Sequence, residues 1–202
     1  MIVSAGALPK RETMTETPTL PDLELPIRTE RLILRDFRAE DFEAVHAYAS
    51  DPEVVRFMPW GPNTEDDTRE FLTRVVADAA AQPRAEHGLA VELSEEGCVV
   101  GSIALHPIDL PNLTMMMGYC LRRDRWGRGL VSEAARALFN VGFGQLGLHR
   151  IFATCDTRNA GSWRVMEKLG MRREGLLRKD RQVRGEWRDT FVYAILAEEW
   201  PG

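Results

Sequence analysis

A turn with two glycines and two arginines precedes an amphipathic pattern in the stretch DRWGRGLVSEAARAL, residues 124–138. The start of a helix presents unpaired N–H groups and the positive end of the helix dipole, which together favour an anion such as phosphate. Gly127 and Gly129 would let the backbone approach a ligand closely, and Arg125 and Arg128 would add positive charge. The pattern predicts an anion-binding loop, although a simple glycine-containing helix entrance would use the same residues.

Two known phosphate motifs fit this loop poorly. The P-loop pattern GxxxxGK[ST] is absent from the chain. The segment GRGLVS approaches the dinucleotide pattern GxGxxG, with Ser132 in place of the third glycine. That pattern should follow a strand directly, whereas here the charged residues RRDR intervene, so a dinucleotide site is not favoured.

The composition is typical of a single soluble domain. The chain has 202 residues, of which 44% are hydrophobic and 28% charged, and this length suits one core. No apolar run approaches the roughly 18 residues of a membrane helix, and no signal-peptide pattern is present, so we expect a cytoplasmic protein. Cys98, Cys120 and Cys155 lie in apolar segments, which favours buried free thiols over disulfides, metal ligands or a nucleophile.

Charge is unevenly distributed along the chain, although the net charge is only −5. Residues 1–121 carry 10 basic and 21 acidic side chains, whereas residues 122–188 carry 16 basic and 7 acidic ones. A basic C-terminal half would suit a polyanionic small ligand or a nucleic acid. Arginines that merely cover strands and helices would give the same counts, so composition leaves both interpretations open.

Hydrophobic periodicity predicts one α/β domain over residues 27–202, after a flexible extension at residues 1–26 that adds nothing to the core. The pattern indicates a mixed, mostly antiparallel sheet flanked by helices. Gly118, in the middle of a predicted strand, suggests a bulge or a close backbone approach. The predicted strands are 28–38, 88–94, 98–106, 114–122, 149–156, 171–180 and 186–196, and the predicted helices are 39–50, 64–81, 129–141 and 159–170.

The loop segment WGRGLV, residues 126–131, resembles the acetyl-CoA pyrophosphate loop of the GNAT superfamily of N-acetyltransferases, written [QR]xxGx[GA]. Trp126 replaces the Gln or Arg, as is familiar in the RimJ/RimL-like branch, which acetylates ribosomal-protein N-termini and other amines; Val131 replaces the Gly or Ala. Four other segments resemble that branch in the same order: TERLILRDFRAEDFEAV, GSIALHPID, GYCL and NAGSWRVMEKLGM. The resemblance implies a GNAT domain that transfers an acetyl group from acetyl-CoA to a primary amine, by direct attack and without a metal.

The resemblance also implies where acetyl-CoA binds. In the family, the strand before the loop parts from its neighbour, and its free backbone groups hold pantetheine and polarise the thioester carbonyl. The implied cofactor-binding residues are Tyr119, Cys120, Leu121, Trp126, Gly127, Arg128, Gly129, Leu130, Val131, Ser132 and Asn159. From the residues alone, Tyr119–Leu121 would be an ordinary core strand and Asn159 a helix N-cap.

Acetyl transfer also needs a proton donor for the departing thiolate. Many family members use a Tyr seven residues after the Asn, where this chain has Met166, which has no proton to donate. In the RimL-like branch the Ser three residues after the Asn has been proposed instead, which implies Ser162 as the catalytic acid here. An ordinary first-turn helix serine would fit the same position.

No general base is assigned. Relatives carry a Glu where this chain has Met116, and the downstream position of a RimL-type base holds Arg181. Glu92, His106 and Asp180 are candidates, and His106 is attractive because imidazole suits general-base work near neutral pH. A base that acts through water, or no dedicated base, is equally compatible with the sequence.

The expected acceptor is a protein N-terminus, an amino acid or a small-molecule amine, bound between residues 57–62 and 178–187. We expect neither a membrane partner nor direct nucleic-acid binding; a dimer is compatible with the sequence, which does not define the oligomeric state. A non-catalytic acyl-CoA-binding or regulatory module stays open because the usual Tyr and strand Glu are missing. A ribosome- or RNA-binding protein that uses the arginines of residues 122–188 also stays open.

Overall fold

The computed structural model describes residues 21, 23–82, 84 and 86–202. Within these residues, the segments with alternating or helical hydrophobic patterns fold into eight strands and four helices. The strands are β1 (Ile27–Arg28), β2 (Leu32–Arg35), β3 (His87–Leu93), β4 (Cys98–Asp109), β5 (Thr114–Leu121), β6 (Arg150–Asp156), β7 (Arg172–Val183) and β8 (Glu186–Leu196). The helices are α1 (Phe42–Ala49), α2 (Glu65–Ala80), α3 (Leu130–Gly144) and α4 (Ala160–Lys168).

The strands form one sheet in the order β1-β2-β3-β4-β5-β6-β8-β7. All neighbouring strands are antiparallel except β5 and β6, which run parallel. Successive strand residues face opposite sides, so the sheet contributes to two cores. Met115 and Met117 pack in the core that contains α3 and α4, whereas Cys120 packs in the core that contains α1 and α2. The predicted α/β class, with a mostly antiparallel sheet, is confirmed.

The helix caps lie where the sequence predicts them. The Thr64 side chain accepts a hydrogen bond from the Asp67 N–H at 3.2 Å, and the Asp67 carboxylate accepts one from the Thr64 N–H at 2.8 Å. Asn159 caps α4 by accepting a hydrogen bond from the Ser162 N–H at 3.2 Å. Gly170 follows α4 with a φ of 81°, as expected for a glycine at a helix end. No helix in the described part of the chain is long and apolar enough to cross a membrane.

One sequence-based expectation about strands is wrong, and one of the two alternatives offered for Gly118 is excluded. The strand predicted from residue 28 is divided into β1 and β2, because a turn intervenes. Glu133 of α3 holds this turn by accepting hydrogen bonds from the Thr29 hydroxyl at 2.6 Å and the Arg31 N–H at 2.8 Å. Gly118 is not a bulge, since the β4–β5 register is continuous there and shifts only between Pro107 and Asp109.

The N-terminal extension and one cysteine also differ from expectation. Residues 1–20 and 22 of the predicted extension lie outside the described residues. Leu23 is buried in the α3–α4 core, so the end of the predicted extension does contribute to the core. Cys120 and Cys155 are buried free thiols as expected, but Cys98 is only half-buried and donates to the Glu96 carboxylate at 3.4 Å.

A buried ion cluster fixes the start of α1 against the sheet. Arg35 donates to both carboxylate oxygens of Asp41 at 2.8 Å and to Glu92 at 2.6 Å. The Arg38 N–H also donates to Asp41 at 2.8 Å. Burial would raise the pKa of Asp41, but the hydrogen bonds from Arg35 and Arg38 outweigh it and lower the pKa below 3.8. The carboxylate is therefore charged at neutral pH and compensates a buried guanidinium.

We predict that Asp41→Ala lowers the free energy of unfolding at pH 7 by about 3–5 kcal/mol, because it leaves Arg35 buried without its main partner. Asp41 has a lowered pKa in the folded state, so its contribution is present above pH 3.8 and is lost as the pH falls below that value. Urea denaturation at several pH values measures the difference. The exposed neighbour change Glu40→Ala is the control, and an equal loss in both variants would contradict the prediction.

Candidate active site

β5 and β6 pair only at their beginnings. Three register pairs join them, namely Thr114 with Arg150, Met115 with Ile151 and Met116 with Phe152. Beyond Met116, no strand of the described chain pairs with this edge of β5, whereas the opposite edge stays paired with β4 as far as Leu121. Unpaired strand N–H and C=O groups readily bind another extended chain, so this edge can hold an extended ligand.

A cleft of about 770 Å³ lies where the two strands part. Tyr119 and Cys120 of β5 line the cleft, and residues 153–156 of β6 form part of its other side. Asn159 and Ser162 of α4 also line it. The structure therefore brings four of the predicted site residues together around one cleft. Leu121 and the loop at residues 126–132 do not line it.

The glycine loop lies beyond the end of β5. The indole Nε1 of Trp126 donates to the Leu121 carbonyl at 2.7 Å, which ties the loop to the strand and occupies that carbonyl. Gly127 and Gly129 have φ values of 73° and 77°, which residues with a side chain rarely adopt. The first turn of α3 contains Leu130, Val131 and Ser132. The loop therefore ends at a helix N-terminus, as the sequence predicts.

One of the guanidinium groups beside this loop belongs to an unexpected residue, Arg31. Arg125 turns away and donates to both carboxylate oxygens of Glu96, at 2.8 and 2.6 Å. Arg31 instead donates to the Arg128 carbonyl at 3.0 Å and pairs with Glu133 of α3 at 2.6 Å. Burial would raise the pKa of Glu133, but hydrogen bonds from the β1–β2 turn lower it. Arg31 was missed because no local sequence pattern links it to the loop.

Two hydroxyl groups meet on the α4 side of β5. The Tyr119 hydroxyl lies 2.8 Å from Ser162 Oγ and donates to the Ser162 carbonyl at 3.1 Å. Burial raises the pKa of Tyr119 to about 12, although the Ser162 hydrogen bond opposes the rise. Burial likewise raises the pKa of the neighbouring Cys155 thiol to about 11. Tyr119 was predicted to act through its backbone, and its hydroxyl was missed because Ser162 is 43 residues away in sequence.

An imidazole and a carboxylate meet on the opposite face of β5. His106 of β4 stands opposite Met116 in the strand register, and its Nδ1 lies 2.9 Å from Oε1 of Glu86. Both His106 and Glu86 line the cleft, and their side chains are about one third exposed. Glu86 was missed because it is an isolated acidic residue outside any motif, just before β3.

The other two candidate bases lie elsewhere. Glu92 belongs to the buried ion cluster, where Arg35 donates to it at 2.6 Å, so it serves the fold. Asp180 does not line the cleft and pairs with its neighbour Arg181 at 3.3 Å. No group of three or more His, Cys, Asp or Glu side chains in the described residues is arranged to hold a metal ion.

Arg184, in the turn between β7 and β8, joins the two segments that the sequence predicts to bind the acceptor. Its guanidinium donates to the carbonyl oxygens of Val55, Trp60 and Gly61 at 3.2, 3.0 and 2.6 Å. Phe57 and Trp60 line the cleft, so the predicted acceptor segment contributes two aromatic side chains to the same cleft as the hydroxyl pair. The arginine thus fixes the 57–62 segment against the β7–β8 hairpin.

Comparison with known proteins identifies the family. Residues 31–172 match the sequence profile of the acetyltransferase (GNAT) domain. The chain is 38% identical over 174 residues to the uncharacterized N-acetyltransferase YnaD of Bacillus subtilis, and the alignment covers 86% of this chain and 98% of YnaD. The chain therefore belongs to the GNAT acetyltransferase family.

Solved structures agree with this assignment. A GNAT-family acetyltransferase from Bacillus anthracis is 41% identical, with a TM-score of 0.78, and the match covers 86% of this chain and 99% of that one. Mycobacterium smegmatis RimJ, solved in complex with CoA-disulfide, is 27% identical, with a TM-score of 0.73 and coverage of 85% and 84%. The chain is an acetyl-CoA-dependent acyltransferase, so the predicted enzyme class and cosubstrate are confirmed.

Proposed function

We propose that this chain transfers the acetyl group of acetyl-CoA to a primary amine, by direct attack of the amine on the thioester in a ternary complex. The observation that carries the proposal is the edge of β5 that has no strand partner beyond Met116, called the parted edge below. The hydroxyl pair of Tyr119 and Ser162 lies on one face of β5 at this edge, and the imidazole of His106 lies on the other. An extended thioester arm along this edge would expose its carbonyl to both faces. An amine that attacks this carbonyl from the imidazole face would form a tetrahedral intermediate, and the sulfur could take up a proton from the hydroxyl face as the C–S bond breaks.

The fit of this chain to coenzyme A rests on two features. The parted edge at Tyr119–Leu121 supplies backbone groups for the pantetheine arm, with the Leu121 carbonyl already engaged by Trp126. The loop at residues 126–132 supplies two glycines with positive φ and the N-terminus of α3, which suit the pyrophosphate. We propose that Asn159 borders the cosubstrate as well as capping α4, since it lines the cleft.

Ser162 is the proposed proton donor to the departing sulfur. As the new C–N bond forms and the C–S bond breaks, Ser162 Oγ gives its proton to the thiolate. Tyr119, whose hydroxyl lies 2.8 Å from Ser162 Oγ, replaces that proton and recovers its own from solvent after the product leaves. The raised pKa of Tyr119 keeps the phenol protonated, as a donor must be. The attacking amine loses two protons, one before the attack and one after it.

The RimJ/RimL-like branch is the proposed place of this chain within the family. Its support is the ordered set of motifs and the structural similarity to Mycobacterium smegmatis RimJ. The acceptor is then a protein N-terminal amine, with an amino acid or a small-molecule amine as the alternative. The two other functions raised by the sequence are disfavoured by the structure of the site. A non-catalytic module would have no use for the hydroxyl pair of Tyr119 and Ser162. An RNA-binding protein would use the arginines of residues 122–188, but many of them are paired with carboxylates.

The test of the function is calorimetric titration with acetyl-CoA, followed on the same sample by thiol release with N-terminal peptides, amino acids and aminoglycosides. We expect binding and thiol release that depends on the amine, with release fastest for N-terminal peptides. Binding without release from any amine would support the non-catalytic module. RNA retention that is sensitive to salt and unaffected by CoA would support the RNA-binding alternative instead.

We predict that Gly129→Val weakens CoA binding at least about tenfold, because valine is strained at positive φ and its side chain enters the loop proposed for the pyrophosphate. Gly147→Val is the matched control, since Gly147 also has a positive φ and open surroundings but lies in the loop after α3. Calorimetry on both folded variants measures the effect. Equal CoA affinity in the two variants would place the pyrophosphate elsewhere.

We predict that Ser162→Ala lowers kcat by about 10²-fold while CoA affinity stays within twofold of wild type, because the variant loses the acid and keeps the strand edge. Tyr119→Phe should give a smaller fall, since Ser162 can still donate once but is reprotonated more slowly. Ser94→Ala, an exposed hydroxyl in the β3–β4 turn, is the control. Unchanged turnover of Ser162→Ala at every pH would remove Ser162 as the acid.

A further inference from the structure

We propose that His106 is the general base that removes a proton from the acceptor amine, and that Glu86 is the positioning residue that holds the imidazole for this task. The inference rests on the proposed function, because it assigns a role in the same cleft. It does not depend on which amine is the acceptor.

The hydrogen bond to Glu86 determines which nitrogen of His106 is basic. His106 Nδ1 lies 2.9 Å from Glu86 Oε1. An ionised carboxylate can only accept hydrogen bonds, so Nδ1 carries the hydrogen of the neutral ring and Nε2 carries the lone pair. A carboxylate on one ring nitrogen also stabilises the imidazolium that forms when the other nitrogen takes a proton. This pairing is the usual way in which proteins orient a basic imidazole.

Gly118 leaves space for the basic nitrogen. A Cβ atom at Gly118 would lie only 3.2 Å from His106 Nε2, so any side chain on this residue would crowd the ring. Gly118 is also within the part of β5 that has lost its β6 partner. His106 Nε2 therefore lies against β5 at Gly118, beside the edge where the thioester carbonyl is proposed to lie. Gly118, an unusual residue for the middle of a strand, thus provides access to the base.

The strand geometry separates this base from the acid. Gly118 and Cys120 project to one face of β5, together with His106 of the neighbouring strand, whereas Tyr119 projects to the other. Ser162 accompanies Tyr119 on that other face. An amine that loses its proton to His106 would attack from one side, and the sulfur would leave toward Ser162 on the opposite side.

The charged groups around His106 favour a cationic acceptor. The hydrogen bond from His106 lowers the pKa of Glu86 despite partial burial, so this carboxylate is ionised. Arg74 of α2 and buried His87 of β3 are the cationic or titratable groups that also act on Glu86. Asp67 and Glu70 of α2 line the same cleft, whereas Asp156, Arg181 and Arg188 line its β6 and β7–β8 sides. Acidic groups near the base would attract the ammonium form that must be deprotonated.

The proton balance of the step is complete. His106 Nε2 takes one proton from the ammonium form, which gives the neutral amine its attacking lone pair. The new C–N bond forms, the C–S bond breaks and Ser162 protonates the sulfur. The second proton of the nitrogen returns through solvent to the Ser162–Tyr119 pair, and His106 releases its proton to water. The net reaction therefore yields the amide, the free thiol and one proton.

The decisive experiment measures kcat/KM against pH for wild type and His106→Ala, with CoA affinity determined on the same samples. We expect the variant to lose about 10²-fold in kcat/KM at pH 7, to recover rate only as the pH becomes high enough to deprotonate the acceptor amine in solution, and to bind CoA within twofold of wild type. Added imidazole should restore part of the rate, which a purely structural role would not allow. His149→Gln, an exposed histidine outside the cleft, should keep the wild-type profile.

Glu86→Gln tests the positioning residue. The amide keeps the size of the carboxylate and removes its charge, so the imidazolium that forms in the step loses its stabilising partner, and kcat/KM should fall while CoA affinity stays within twofold of wild type. Thiol release by the wild type together with an unchanged dependence of kcat/KM on pH in His106→Ala, or no rescue by imidazole, would overturn the base assignment and leave the proposed function intact. Failure of the wild type to release thiol with any amine would overturn both.

Discussion

The site depends on where hydrogen bonding between β5 and β6 stops. The two strands share only three register pairs and part after Met116 and Phe152. Each strand nevertheless keeps its other neighbour, since β5 pairs with β4 as far as Leu121 and β6 pairs with β8 as far as Asp156. The unpaired backbone groups are therefore confined to one gap in an otherwise continuous sheet. A ligand that supplies extended backbone-like groups is the natural partner for that gap.

Elements that depend on local pattern could be predicted from the sequence. The Thr64 and Asn159 caps and the glycines at residues 127 and 129 are each set by neighbouring residues, and the structure places all of them as expected. Contacts between distant residues could not be predicted in this way. The division of the first strand, for example, depends on Glu133, which is 104 residues from Thr29 in sequence. The pairing of Glu86 with His106 and that of Tyr119 with Ser162 could not be predicted either, because the partners are far apart in sequence.

Charge counts along the chain are a poor guide to the site because half of the arginines in the basic half have acidic partners. Arg125 was expected to face the loop, but bidentate pairing with Glu96 holds it on the β3–β4 turn. Arg150 pairs with Glu174 and Arg158 with Asp156, so these guanidinium groups are already compensated. Arg184 donates its hydrogen bonds to backbone carbonyl oxygens and has a structural role. What a guanidinium does is set by the acceptors within its reach, and these come from other parts of the chain.

The two faces of β5 differ in the way that the two proton transfers require. The proton taken from an ammonium group must reach water, and the His106 side chain is about one third exposed beside a charged carboxylate. The proton given to sulfur must be held until the C–S bond breaks, and burial keeps the Tyr119 phenol protonated, with a pKa of about 12. Alternation of side chains along a single strand thus places the proposed base and the proposed acid on opposite faces of β5, with one peptide unit between Gly118 and Tyr119.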